Sequence, residues 1–288
     1  MTLRSAPGAL LLLLLAGAPA RAAGVVPIVA AENFYGDVAR QIGGEQVNVT
    51  SILSNPDQDP HLFEASPSVA RALSAARIVI TNGLDYDPWA EKLLAAGHAR
   101  DRKVIVAAAL LGRRSGDNPH LWYDPRTMPA LAEALSDALG RADPAHRADY
   151  ARRLDAFRQS LRPIATQIAA LRGRLAGVPV TATEPVFGYM LQALGMSVRN
   201  GRFQLAVMNN TEPSASDIAA FEQDLKQHRV RLLVYNRQAS DPIADRMEKL
   251  AQASGIPVVG VSETEPPGMT YQQWMAGALG AIDHALPR

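Results

Sequence analysis

The sequence predicts an α/β protein of two lobes, each a mostly parallel sheet flanked by helices, joined by one long backbone helix. Three observations support this fold class. The chain has 288 residues, of which 48% are hydrophobic, and this is enough to fill two cores. Short apolar runs alternate with helical patterns in both halves, as in parallel sheets that are covered on both faces. A long helical pattern, residues 144–177, broken only by Pro163, separates the two alternating regions.

The first 22 residues are expected to be a secretory signal peptide and not part of the fold. Arg4 precedes a short apolar run at residues 9–15, and residues 20–22 spell Ala-Arg-Ala, a cleavage site of the Ala-x-Ala kind. A membrane anchor needs roughly 18 or more apolar residues, and this run is shorter. We therefore expect a periplasmic protein without a membrane anchor, cleaved after Ala20 or Ala22.

Charge and cysteine content exclude several classes of function. The chain has no cysteine, so a disulfide framework, thiolate chemistry and a lipid-carrying cysteine are not expected. Loss of the signal removes two of the 29 basic residues and leaves them nearly balanced against 28 acidic residues. This balance gives no electrostatic footprint for nucleic acid or for an anionic membrane. We expect a soluble monomer that does not bind nucleic acid.

The first lobe is expected to span residues 23–143. Apolar runs predict strands at 25–31, 47–53, 77–83 and 103–110. Helical patterns lie between and after them, at 33–44, 66–76, 88–97 and 125–142. A glycine pair at 43–44 and the Asn-Gly pair at 82–83 mark where elements stop.

Residues 144–177 predict the connecting helix. Seven apolar residues recur at spacings of three and four: Leu154, Phe157, Leu161, Ile164, Ile168, Leu171 and Leu175. A helix of about 33 residues spans roughly 50 Å, longer than one lobe needs, so we interpret it as a stiff connector. Pro163 should bend it, because proline removes a backbone donor and crowds the preceding turn.

The second lobe, residues 178–288, repeats the alternation. Strands are predicted at 179–184, 230–236 and 257–263, and helices at 185–195, 213–229, 240–255 and 269–286. Ligands of open parallel sheets collect beyond the carboxyl ends of the strands. Polar residues at strand ends are therefore the first candidates for a binding site.

Four residues at these strand ends form a candidate metal site. His61 and His120 follow the second and fourth predicted strands, while Glu184 and Glu263 close two strands of the second lobe. Imidazole nitrogens with carboxylate oxygens suit borderline divalent metals such as zinc, and the carboxylates offset the charge of the ion. Ligands drawn from both lobes would place the ion in the cleft between them.

Proline precedes both candidate histidines, in Asp-Pro-His and Asn-Pro-His. It fixes φ and restricts the residue ahead of it, and a stiff loop loses less entropy when metal binds. Each motif alone is also typical of a turn with a surface histidine, and its repetition after two strands of one lobe favours the ligand interpretation. The remaining histidines are expected to be solvated: His98, His146, His228 and His284.

The two glutamates are less distinctive, because a glutamate at a strand end is usually a solvated charge. Glu184 is supported by its strand-to-helix turn, where Pro185 follows at once. Glu263 has a near neighbour, Glu265, and periodicity does not decide which of the two points into the cleft. We favour Glu263, since it closes the apolar strand.

Four segments resemble the metal-binding receptors of bacterial ABC importers for zinc and manganese. They are DPHLFEASPSVARALSAARIVITNGLDYDPWAEKLL, NPHLWYDPRTMPALAEAL, ATEPVFGYMLQALG and GIPVVGVSETEPPGMTYQQWM. The resemblance covers nearly the whole mature chain. It implies two α/β lobes on a rigid backbone helix, one metal site in the cleft, and delivery of the ion to a membrane permease.

The same resemblance implies the ligands His61, His120, Glu184 and Glu263. The third ligand is a glutamate, as in manganese-type members, and the histidine-rich loop of many zinc receptors is absent. The last acid is a glutamate where aspartate is common, which keeps Glu265 as an alternative.

Two histidines and two glutamates satisfy either zinc or manganese, and the general affinity order slightly favours Zn²⁺ over Mn²⁺. The alternative function is a secreted metal-dependent hydrolase, in which metal-bound water attacks a substrate. A catalytic site keeps an open coordination position, whereas four protein ligands would close this one, so we expect a receptor and no enzyme. A receptor for a small organic anion is a third possibility, but paired acids in the cleft repel anions.

Overall fold

The computed structural model describes residues 24–58, 60–97, 99–239 and 241–287. The predicted signal peptide at residues 1–22, its cleavage site and His98 lie outside these ranges. No helix in the described ranges combines the length and the apolar character needed to cross a bilayer.

The first lobe is built on a sheet of parallel strands. They are β1 (Val26–Glu32), β2 (Val47–Leu53), β3 (Ile78–Thr81) and β4 (Lys103–Val106). Their order in the sheet is β2-β1-β3-β4, which makes β1 and β3 the inner strands. All of β3 and all of β1 except Pro27 are buried, because helices cover both faces of the sheet.

The helices of this lobe are α1 (Asn33–Gly43), α2 (Pro67–Ala75), α3 (Pro88–Ala96), α4 (Ala107–Leu110) and α5 (Thr127–Ala142). The prediction of one strand over 103–110 is wrong in its second half, where α4 forms a short helical turn. Three consecutive alanines follow Val106, and alanine has the highest helix propensity and lacks the branched side chain that favours strands.

The connecting helix consists of two helices in succession, α6 (Arg147–Ser160) and α7 (Arg162–Leu175). The break falls at Leu161, just ahead of Pro163, and this confirms the expected effect of the proline. Pro163 has no N–H to donate, and its ring crowds the carbonyl four residues earlier. The predicted apolar stripe packs into the core along both helices, and five of its members are buried: Leu154, Phe157, Ile164, Leu171 and Leu175.

The second lobe has the strands β5 (Pro179–Ala182), β6 (Ser197–Val198), β7 (Leu233–Asn236) and β8 (Val258–Val261). Its helices are α8 (Gly188–Ala193), α9 (Gly201–Met208), α10 (Ala215–Lys226), α11 (Pro242–Ala253) and α12 (Tyr271–Ala285). All pairings in its sheet are parallel, in the order β6-β5-β7-β8. The predicted fold class is confirmed.

Two elements of this lobe were not predicted. The edge strand β6 has two residues, both exposed, so it leaves no apolar run to recognise. Helix α9 begins after Asn200, whose φ of 59° places it in the left-handed region. The Asn-Gly pair at 200–201 is a typical turn signal and hides the start of the helix.

The two lobes share one hydrophobic core, and a second, smaller core lies in the second lobe. Aromatic rings meet at the lobe boundary. The ring centroids of Phe34 and Trp274 are 5.9 Å apart, and those of Tyr123 and Phe187 are 4.7 Å apart. This packing fixes how the strand ends of one lobe face those of the other.

Candidate metal site

All four candidate ligands lie beyond the carboxyl ends of strands, at the edge where the two sheets face each other. His61 belongs to a short 3-10 turn, Pro60–Leu62, and His120 directly precedes a similar turn, Leu121–Tyr123. Glu184 follows β5 by two residues, and Glu263 follows β8 by two residues.

His61, His120 and Glu263 come together. Among the described residues, they form the group of potential metal ligands whose donor atoms all lie within 4.8 Å of one another. The Nε2 atoms of His61 and His120 lie 3.6 Å and 3.5 Å from Oε2 of Glu263. The His120 and Glu263 side chains are fully buried, whereas 23% of the His61 side chain is exposed, so the cluster faces solvent on the His61 side.

Asn118 orients the ring of His120. Its Oδ1 lies 2.6 Å from Nδ1 of His120 and also accepts the backbone N–H of His120 at 3.1 Å. Its Nδ2 donates to the carbonyl of Pro185 in the second lobe, which fixes the orientation of the amide. Because an amide oxygen can only accept, Nδ1 donates to it, and Nε2 is the ring nitrogen that faces Glu263 and the cleft.

Glu263 is held as a carboxylate. Burial opposes its ionisation, but the hydrogen bond and charge of His120, the charge of His61 and the hydrogen bond of Tyr86 together lower its pKa to about 2. Tyr86 donates to Oε2 at 2.8 Å, and Asn236 donates to Oε1 at 2.6 Å. The negative charge that a cation needs is therefore preformed.

Glu184 is buried beside the cluster and linked to it through Asn236. Nδ2 of Asn236 lies 3.3 Å from Oε2 of Glu184 as well as 2.6 Å from Oε1 of Glu263. The group of mutually close donor atoms in the described chain does not include Glu184. The Asn236 amide nitrogen therefore lies between the carboxylates of Glu184 and Glu263 and donates to both.

Glu265 faces a different environment from Glu263. Its backbone pairs with the Asn33 side chain at the start of α1, with Asn33 Nδ2 donating to the carbonyl and Asn33 Oδ1 accepting the N–H. Burial and the nearby charge of Asp37 raise the pKa of its carboxyl to about 8, while Arg40 lowers it. The structure thus places Glu263 in the cluster and Glu265 against the first lobe.

The other described histidines lie elsewhere. His146 pairs with Asp143 at 2.6 Å, and His228 and His284 are exposed on the second lobe. The exposure of His228 and His284 agrees with the expected solvated role, whereas His146 is partly buried and paired with Asp143.

Sequence reasoning missed the residues that hold the ligands: Tyr86, Asn118, Asn236 and Gln238, whose Oε1 accepts the backbone N–H of Glu263. Asn236 closes the predicted strand 230–236, so its position at a strand end could have identified it, as it identified Glu184 and Glu263. An amide is a weak metal ligand, so a pattern of metal-ligating side chains does not include Asn236. Tyr86 follows a turn and has no positional signal.

The two lobes are each built on a parallel sheet, and they share a core. A largely buried cluster of two imidazoles and one carboxylate lies between them. This combination defines the class of two-lobed metal receptors. The sequence matches the profile of ZnuA, described as zinc-uptake complex component A, periplasmic, over residues 28–285, so the chain belongs to this family. The resemblance inferred from the sequence motifs is confirmed.

Similar proteins cover nearly the whole chain. A putative metal-binding protein of Treponema pallidum (strain Nichols) is 25% identical over 289 residues, which cover 90% of this chain and 87% of the relative. The manganese ABC transporter substrate-binding lipoprotein PsaA of Streptococcus mitis is 20% identical over 285 residues, covering 91% of this chain and 89% of PsaA. The solved structure of the periplasmic zinc-binding protein TroA of Treponema pallidum superposes with a TM-score of 0.75 at 19% identity, covering 91% of this chain and 100% of TroA.

Proposed function

We propose that the protein captures one divalent transition metal ion in the cleft and delivers it to the membrane permease of an ABC importer. The observation that carries this proposal is the cluster of two imidazoles from the first lobe and one carboxylate from the second, with donor atoms within 4.8 Å of one another. Such a set fits a borderline divalent cation.

The proposed ligands are His61, His120, Glu184 and Glu263. Binding exchanges the water shell of the ion for two imidazole nitrogens and carboxylate oxygens. Glu263 already lies close to both imidazoles as an ionised group, so its reorganisation cost is small. Asn236 bonds both carboxylates and holds the second-lobe ligands together.

The cargo is zinc, with manganese next. Zinc is bound more tightly than manganese by most sets of nitrogen and oxygen ligands, and two imidazoles strengthen that preference. Two glutamates that bind through both oxygens would supply the higher coordination number that manganese favours. The names of similar proteins point both ways, to zinc for TroA and to manganese for PsaA.

The site is proposed to bind without catalysis. Four protein ligands leave no coordination position for a metal-bound water, which a hydrolase requires. We propose that the exported chain acts in the periplasm as a monomer. Its family is described as the periplasmic component of an uptake complex, which supports a permease as its partner.

The test is metal analysis of the mature chain purified without added metal, followed by titration with Zn²⁺ and with Mn²⁺. We expect one ion per chain, and little tightly bound ion in His120→Ala. His284→Ala, which removes an exposed histidine far from the cluster, is the matched control and should keep full occupancy. Wild-type protein that binds neither ion, or His120→Ala protein that binds as wild type does, would contradict the proposal.

A further inference from the structure

Gln238 follows β7 and reaches the backbone that carries Glu263. Its Oε1 accepts the N–H of Glu263 at 2.6 Å and the N–H of Thr264 at 3.0 Å, and the Thr264 hydroxyl donates to the same oxygen at 3.2 Å. These bonds fix the chain at the point where it leaves β8. The position of the Glu263 carboxylate therefore depends on Gln238.

The other end of the same amide crosses the cleft. Nε2 of Gln238 donates to the carbonyl oxygen of Gln58 at 3.1 Å, three residues before His61. The turn around Gln58 is organised by Asn55, whose Oδ1 accepts the N–H of Asp57 and whose carbonyl accepts the N–H of Gln58. One side chain of the second lobe thus links the His61 loop to the Glu263 loop.

The chemistry of this link suits glutamine in particular. The position needs an acceptor for two backbone N–H groups and a donor for a carbonyl, and a primary amide provides both from one side chain. A carboxylate lacks the donor, and an ammonium group lacks the acceptor. The Gln238 backbone N–H donates to Oδ1 of Asn236, so the link is continuous with the amide that bonds Glu184 and Glu263.

We propose that Gln238 is a positioning residue that holds His61 and Glu263 in place across the cleft and thereby slows release of the bound metal. This inference rests on the proposed function. His61 is the partly exposed member of the cluster, so the ion leaves past His61 when that loop moves. Movement of the loop away from the second lobe breaks the bond between Gln238 and Gln58.

The test measures the rate at which metal-loaded protein loses its ion to an excess of chelator. Gln238→Met keeps the length of the side chain but removes the amide, and we expect release about tenfold faster, as for the loss of one to two net hydrogen bonds. The visible spectrum of bound Co²⁺ should change as well, because the donor atoms shift. Gln58→Ala is the matched control, since Gln58 contributes its backbone carbonyl, and release should match wild type.

A covalent link provides an independent measurement in this cysteine-free chain. The double variant Gln58→Cys/Gln238→Cys should release metal quickly before treatment with a short bifunctional maleimide, and slowly after it. If Gln238→Met fails to fold, this comparison within one double variant decides the question.

The inference is overturned if Gln238→Met releases metal at the wild-type rate, or if full cross-linking of the double variant does not slow release. Either result leaves the proposed function intact. Wild-type protein that binds no metal overturns the proposed function, and the inference with it.

Discussion

Glu263 and Glu265 lie two positions apart in the chain, yet their carboxyl groups have opposite electrostatic environments. The pKa of Glu263 is about 2 because burial is outweighed by the hydrogen bond and charge of His120, the charge of His61 and the Tyr86 hydroxyl. The pKa of Glu265 is about 8 because of burial and the charge of Asp37. The first is a preformed anion and the second a neutral acid at pH 7.

This contrast gives a matched pair of substitutions. Glu263→Gln removes the charge that faces both imidazoles, and we expect the metal dissociation constant to rise roughly a hundredfold or more. Glu265→Gln is the control, because it is equally conservative and lies outside the cluster, so its dissociation constant should stay within about threefold of wild type. Calorimetric titration of both variants checks this, and the reverse order of effects would identify Glu265 as the ligand.

Glu265 also makes the stability of the metal-free protein depend on pH. Its pKa is about 8 in the folded protein against an ordinary 4.5, so the folded state keeps a proton that the unfolded chain has lost. The stabilisation from this group is present below pH 4.5 and is lost as the pH rises toward 8. We expect Glu265→Gln to gain roughly 2–5 °C in melting temperature relative to wild type between pH 5 and pH 8. A constant difference over this range would contradict the assigned pKa.

Sequence patterns led to the prediction of four candidate ligands, because two glutamates close apolar strands and two histidines follow strands in Pro-His pairs. They do not show how each side chain is held. Whether Glu263 or Glu265 turns into the cleft depends on the pairing of Asn33 with the Glu265 backbone, a contact between residues 232 positions apart. Contacts of that range leave no periodic trace in the sequence.

At the scale of elements, helix α9 was hidden by its turn signal but anchors the smaller core of the second lobe. Phe203 is fully buried against Phe221, with ring centroids 4.6 Å apart. On the same helix, Leu205 is 48% exposed. Substitutions at Phe203 and Leu205 therefore distinguish the contribution of core packing from the contribution of the helix itself.

We expect Phe203→Ala to lower the free energy of unfolding by about 3–5 kcal/mol, because it leaves a cavity between α9 and α10. Leu205→Ala should change it by less than about 0.5 kcal/mol. Urea unfolding of the metal-free variants measures both values. Equal effects of the two substitutions would mean that α9 is not anchored by its buried face.

Elements with strong periodicity were predictable, whereas short ones were not. The apolar stripe and Pro163 were enough to place the connecting helix and its break. In contrast, β6 is only two residues long, and α4 turns a predicted strand end into a helical turn. The two exposed residues of β6 pair with β5 without forming an apolar run, and α4 follows from the helix propensity of three consecutive alanines.

At the scale of the whole molecule, the shared core restricts relative motion of the lobes. Phe34 and Tyr123 of the first lobe pack with Trp274 of the second, and α1 and α12 are further joined by reciprocal hydrogen bonds between Gln41 and Gln272. A large hinge opening would expose these aromatic rings to water. Metal capture therefore involves the loops at the cleft more than the lobes as rigid bodies.

Small-angle X-ray scattering measures whether the lobes move relative to each other when metal binds. We expect the scattering curves of metal-free and metal-loaded protein to superpose, because the aromatic contacts persist in both states. A clear decrease in the radius of gyration on loading would show closure of the lobes about a hinge.

The most direct test of the central claim is X-ray absorption spectroscopy of the protein loaded with one equivalent of Zn²⁺. The proposed site requires two imidazoles, with oxygen donors completing the shell. We expect the scattering signature of two imidazole rings in wild type, and of one ring in the ion that His61→Ala retains. A shell of oxygen donors without imidazole scattering would contradict the claim that both lobes grip one cation through His61, His120 and the facing carboxylates.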